Sequence, residues 1–234
     1  MKKPVQKSVI RGMNNPVDLF VSELKAQASP KKKPAMEAYM KGRFSFLGVM
    51  NAERKAIQKD HFPLWKKDKT LDPMQIALLL WEQPDRECQY AAMDWMKTCS
   101  LWKIPGSIRY FENWVLDRSW WDSVDFLATT CIGGYFLKFP NERDKWIEKW
   151  NASPDFWLNR CTLLFQLKYK KQVDTDLLFA LIDTHKDQKE FFIRKAIGWA
   201  LRELSKSQPG LVRDYLERTK LSGLSVREAS KYLV

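Results

Sequence analysis

The chain is short of the residues from which many enzymes build nucleophiles and metal centres. Its only histidines, His61 and His185, are far apart, and its four cysteines, Cys88, Cys99, Cys131 and Cys161, form no CxxC pair. A zinc site or a histidine-based triad therefore has no support, and no metal is expected. The cysteines read as buried free thiols of a reducing compartment. Glycine is scarce, nine in 234 residues, and no Gly-rich phosphate loop of the Walker or dinucleotide type occurs. No apolar run approaches the ~20 residues that span a bilayer. Residues 1–15 carry no apolar segment like a signal peptide. A cytoplasmic protein without a membrane partner is expected. Period-two alternation bounded by hairpin turns is also missing, which points to an all-α chain.

What is present is a large apolar complement, 45% of the residues, with eleven Trp and thirteen Phe. That suffices for a sizeable core. The net charge of +12 is unevenly spread: residues 1–70 hold sixteen Lys and Arg against six Asp and Glu, or +10 of the total. Lys31, Lys32, Lys33, Lys41, Arg43, Arg54, Lys55, Lys59, Lys66, Lys67 and Lys69 make a candidate patch for a polyanion, foremost a nucleic-acid backbone. A solvated, solubilising surface is the plainer reading of the same charge. Residues 1–15 mix Lys, Pro, Asn and Gly without periodicity and read as a flexible basic tail. Residues 16–234 read as one domain.

The stretch Ser119-Trp120-Trp121-Asp122-Ser123-Val124-Asp125 concentrates two indoles and two acids. Ser119 and Asp122 have the spacing of a capping box, which predicts a helix start. Trp121 and Asp125 then lie one turn apart on one face. Asn51 is likewise expected to cap the helix running towards Lys59.

Segments beginning near Asp85, Trp120, Phe156 and Phe191 align at offsets of 35, 36 and 35 residues, each followed by an apolar helical run. A period of that length is typical of stacked helix pairs. It predicts a right-handed α-solenoid, a curved single domain with a basic concave face. In this alignment Asp125 stands where the other units carry Tyr90, Cys161 and Ala196. Arg160 and Lys195 fall one column earlier, as cations on the neighbouring units' version of the same surface.

Four blocks resemble the AlkD-type DNA alkylation repair glycosylases, built from HEAT-like helical repeats: AYMKGRFSFLGV at 38–49, SWWDSVD at 119–125, Trp157-Leu158-x-Arg160 leading into LLFQLKYK at 163–170, and EFFIRKAIGWALRE at 190–203. The resemblance runs from about Tyr39 to the C-terminus. It implies a monofunctional glycosylase that hydrolyses the N-glycosidic bond of cationic N3- or N7-alkylated purines in double-stranded DNA, acting as a monomer without cofactor. By the match, Asp125 is the catalytic carboxylate, stabilising an oxocarbenium-like transition state and positioning water. Trp121 and Trp199 meet the damaged nucleotide, with cation–π attraction favouring a cationic lesion. Arg160 is expected to hold a phosphate. Tyr39, Lys41, Arg43, Arg54, Lys55, Arg194 and Lys195 are the expected DNA contacts. Two rivals stand beside this reading. One is a non-catalytic helical-repeat scaffold, with Asp125 salt-bridged to Arg160. The other is a helix-hairpin-helix glycosylase, faintly echoed by Ile104-Pro105-Gly106-Ser107 but lacking the second glycine.

Overall fold

The computed structural model describes residues 15–233, and its elements are helices throughout, with one isolated bridge between Ser45 and Asp85. In chain order they are α1 (Pro16–Ala26), α2 (Lys33–Tyr39), α3 (Asn51–Lys67), α4 (Pro73–Trp81), α5 (Arg86–Cys99), α6 (Ile108–Leu116), α7 (Trp121–Phe126), α8 (Gly133–Lys138), α9 (Arg143–Asn151), α10 (Phe156–Leu164), α11 (Thr175–His185), α12 (Phe191–Ser205), α13 (Pro209–Arg218) and α14 (Gly223–Ala229). The all-α expectation holds. Most of the expected tail, residues 1–14, lies outside the described residues. Asn15, assigned to that tail, instead caps α1, its side chain accepting from the Val17 N–H at 3.0 Å.

Short polar residues and prolines set the helix starts. Asp72, Asp155 and Asp174 each accept a first-turn N–H, and Pro16, Pro73 and Pro209 enter first turns where no N–H is needed. Two expected caps are not used. Ser119 Oγ donates back to the Val115 carbonyl at 2.6 Å, and α7 starts after an extended Trp120 that makes no side-chain cap bond. Asn51 is the first residue of α3 rather than its cap, and its Oδ1 accepts from Arg54.

Packing divides the chain into two compact units at Cys99/Ser100. In the first, α1 packs on α3 and α3 on α5. An aromatic core of Phe20, Phe62, Trp65 and Trp95 fills the space, with Trp65 and Trp95 edge to face at 5.6 Å. In the second unit α10 packs on α6, α7, α9, α11 and α12, and α12 packs on α13 and α14.

The second helices of successive pairs start at Arg86, Trp121, Phe156 and Phe191, a repeat of 35 each time. A side chain at the fourth position confirms the register. Gln89 donates to the Trp81 and Gln83 carbonyls, and Asn159 donates to those of Trp150 and Ser153, closing equivalent turns in each unit. This corrects the 36-residue step of the sequence alignment. Asp125 is equivalent to Tyr90, Arg160 and Lys195, the fifth residue of each helix, and not to Cys161 or Ala196. Weak self-similarity cannot fix a register to one residue, whereas hydrogen bonds do.

α7 runs on through a π-helical turn, Leu127–Ile132, into α8. Two glycines make room beside it: a Cβ at Gly133 would stand 2.3 Å from the Phe165 carbonyl oxygen, and one at Gly134 would stand 2.6 Å from the Trp102 ring. Tyr169 donates to the Gly133 carbonyl at 2.8 Å and Lys168 to Thr130 Oγ1 at 2.6 Å, so the wider turn is tied down by the loop after α10.

Candidate active site

The site is built on the first two turns of α7 and α10. Trp121 and Asp125 share one face of α7, and the 35-residue repeat sets Arg160 on α10 opposite Asp125. The guanidinium grips the carboxylate in two bonds, Nε to Oδ1 at 2.7 Å and Nη2 to Oδ2 at 2.9 Å, while Nη1 donates to the Phe192 carbonyl. This fork geometry is the strongest form of the pair. The two partners differ in exposure: the Arg160 side chain is 3% exposed and that of Asp125 16%. The carboxylate thus forms the accessible end of the pair, with the cation behind it.

An apolar wall supports the pair. Phe192 packs on Trp120 at 5.2 Å and on Trp157 at 4.8 Å, and the Arg160 guanidinium lies 5.9 Å from the Phe192 ring centre. Burial pushes the Asp125 carboxyl above its ordinary range. Arg160 pulls the other way, and the Asp122 charge adds to the rise. A carboxylate raised by a dry surrounding is a site candidate with a physical cause.

The expected phosphate role of Arg160 is joined here by a second one, holding Asp125. Three of its five N–H groups go to Asp125 and the Phe192 carbonyl, which leaves one on each terminal nitrogen. In this arrangement it fixes the carboxylate's place and charge.

Trp121 and Trp199 are both half-buried, on α7 and α12. Trp199 follows Lys195 by one turn. Lys195 makes an ion pair with Glu228 at 2.7 Å, and Arg194 is half-buried, its carbonyl accepting from Ser225 Oγ at 2.9 Å.

In the first unit the expected DNA contacts divide into two kinds. Tyr39 is 67% exposed at the end of α2. Lys41 and Gly42 turn the chain with φ of 57° and 68°, and Lys41 and Arg43 stand exposed. A non-glycine residue in the left-handed region persists only where its surroundings fix it. Arg54 departs from the expectation. It is 6% exposed and bound to Asp94 and Asn51, because the helical period of α3 turns it inward. Lys55 shares Asp94 at 2.6 Å and is half exposed.

The model of the family described as DNA alkylation repair enzyme matches residues 20–233, across both units. The chain belongs to that family. It is also similar to a solved structure, the "Predicted DNA alkylation repair enzyme from Enterococcus faecalis", at 31% identity over 88% of this chain and 97% of the other, with a TM-score of 0.81. No curated protein matches it significantly.

Two features of the chain escape sequence reasoning. Glu87, fully buried, accepts from the backbone N–H groups of Leu47, Gly48 and Val49 at 2.9–3.1 Å, and Glu37 accepts from Phe46 at 3.2 Å. These carboxylates anchor the loop that follows the Tyr39–Arg43 turn. The acidic Asp85-Arg86-Glu87 helix start is the available signal. The second feature is Glu228, which no motif singles out. Cys88, Cys131 and Cys161 are buried as expected, and burial pushes the Cys88 thiol up to about 12. Cys99 is only half-buried. Among the described residues no cluster of three or more His, Cys, Asp or Glu is placed to hold a metal, and no helix is long and apolar enough to cross a membrane.

Proposed function

We propose that the chain is a monofunctional DNA glycosylase that hydrolyses the N-glycosidic bond of N3- and N7-alkylated purines. The alkylated base carries a formal positive charge, so its bond to the sugar is weakened and the leaving group needs no general acid. The remaining task is to stabilise positive charge on the sugar, which a fixed carboxylate in a dry setting performs electrostatically. The supporting observation is Asp125, gripped from behind by Arg160 and accessible in front. Asp125 stabilises the oxocarbenium-like sugar and orients the attacking water. Trp121 and Trp199 contact the lesion. Tyr39, Lys41, Arg43 and Lys55 meet the duplex backbone. No lysine lies in the SWWDSVD block, so a Schiff-base lyase step is not part of the proposal.

A second reading has its own observation. Both oxygens of Asp125 are engaged by Arg160, as a purely structural ion pair in a scaffold would be. Incubating the wild-type protein with a methylated duplex and assaying abasic sites separates the two. Release of alkylpurine supports the glycosylase, and no release above the enzyme-free rate supports the scaffold.

A further inference from the structure

α12 carries Lys195, Trp199 and Arg202 at spacings of four and three residues, which sets them on one face of the helix. α14 packs against that helix, and Gly198 permits the close approach. A Cβ at Gly198 would stand 2.5 Å from Glu228 Cβ and 2.8 Å from the Ser225 carbonyl oxygen. The approach carries the Glu228 side chain, 5% exposed, into the middle of three cations. Oε1 pairs with Lys195 Nζ at 2.7 Å, while Oε2 pairs with Arg202 Nη1 at 2.7 Å and Lys231 Nζ at 2.9 Å. Hydrogen bonds from Lys195 and then Lys231 hold the carboxyl down at about 2. It is therefore an anion at any working pH.

One negative charge among three positive ones leaves an excess of two. An arrangement made only to join α14 to α12 needs no such excess, since a single partner satisfies the pairing. The second cation on α12 has a different effect: it orders two long side chains on either side of Trp199 in advance. Lys and Arg both lose rotamer freedom when they are fixed, and holding them in place beforehand spares a ligand that cost.

We propose that Glu228 is a positioning residue that fixes Lys195 and Arg202 beside Trp199 as a preformed seat for one phosphodiester of the DNA strand. The assignment of a nucleotide to Trp199 rests on the glycosylase reading above. The two unmatched charges receive the phosphate, and Glu228 keeps them from folding back onto each other or into solvent.

The test exploits a conflict of sign. Glu228→Gln raises the net charge by one, and so does Glu217→Gln on an exposed turn of α13. Bulk electrostatics alone predicts that both variants bind duplex at least as tightly as wild type. The positioning role predicts the reverse for Glu228→Gln only: KM for a duplex carrying one N7-methylguanine rises roughly tenfold or more. kcat is largely kept, since Asp125 and Trp121 are untouched. A merely structural role would lower the folded fraction and hence kcat, leaving KM in place. Unchanged or lowered KM in folded Glu228→Gln overturns the proposal. If that variant does not fold, Glu228→Asp replaces it: the charge is kept and the side chain is one methylene shorter, so bulk electrostatics predicts no change, whereas the positioning role predicts the same rise in KM, and an unchanged KM is equally contrary. Should wild type release no alkylpurine, the glycosylase reading fails by itself. The Kd of wild type and Glu228→Gln for a duplex with a stable abasic-site analogue then decides the phosphate seat.

Discussion

Asp125 sits between two opposed influences, burial that favours its protonated form and the Arg160 fork that favours its charged form. The proposed reaction uses the charged form. With burial ahead, the ionised fraction is lost as pH falls through a value above the ordinary aspartate pKa of about 3.9. The acid limb of the excision rate should therefore lie above that value. Arg160→Gln removes the lowering influence, so the limb should move to higher pH, read from single-turnover rates across pH 4–8. A limb that stays in place would show that Arg160 does not govern the charge of Asp125. At this scale the sequence block and its family resemblance identify Asp125 and Arg160 together. The ion pair itself belongs to the scaffold reading, but the guanidinium's third bond, to the Phe192 carbonyl, is not legible, because the second helix of the next pair supplies that oxygen. Arg54 misleads for a related reason: a basic run looks like surface until its helix phase sets one member against Asp94.

Among the elements, the helix pairs are legible and the π-turn after Asp125 is not. Its apolar residues read as ordinary α-helix. Gly133 and Gly134 follow it directly, and their missing side chains admit the Phe165 carbonyl and the Trp102 ring from distant segments. π-turns often mark functional sites, and this one begins two residues past Asp125. Gly133→Ala sets a Cβ against backbone rather than against a yielding side chain. It should destabilise the fold by about 1–3 kcal/mol, the usual cost of overpacking, measured by urea unfolding. Stability equal to wild type would mean that the turn relaxes freely. The 35-residue rhythm is visible in the sequence, but its register slips by one after Asp125, and only Gln89 and Asn159 reveal that fourth positions correspond.

For the molecule as a whole, the concentration of charge in residues 1–70 predicts salt-sensitive DNA binding. Deleting everything before Tyr39 is a poor test, because α1 supplies Val17, Phe20 and Leu24 to the core. Point changes preserve the fold. Lys31 and Lys41 are exposed, and the Lys31→Gln/Lys41→Gln pair should reduce the slope of log K against log salt by about 0.9 for each phosphate no longer neutralised. Single-turnover excision should be unaffected at saturating protein. An unchanged slope would remove these lysines from the DNA interface. Composition alone reveals this charge division. Which cations are consumed by Asp94 or Glu228 emerges only from packing.

The central claim is that the Asp125 carboxylate carries the chemistry. Its most direct test is the single-turnover rate of base release by Asp125→Asn from a duplex holding one N7-methylguanine, with unfolding and DNA affinity measured alongside. The predicted result is a loss of at least about 10²-fold, the scale of removing one preorganised electrostatic group, in a variant that folds and binds like wild type. A folded Asp125→Asn that releases base at the wild-type rate would contradict it.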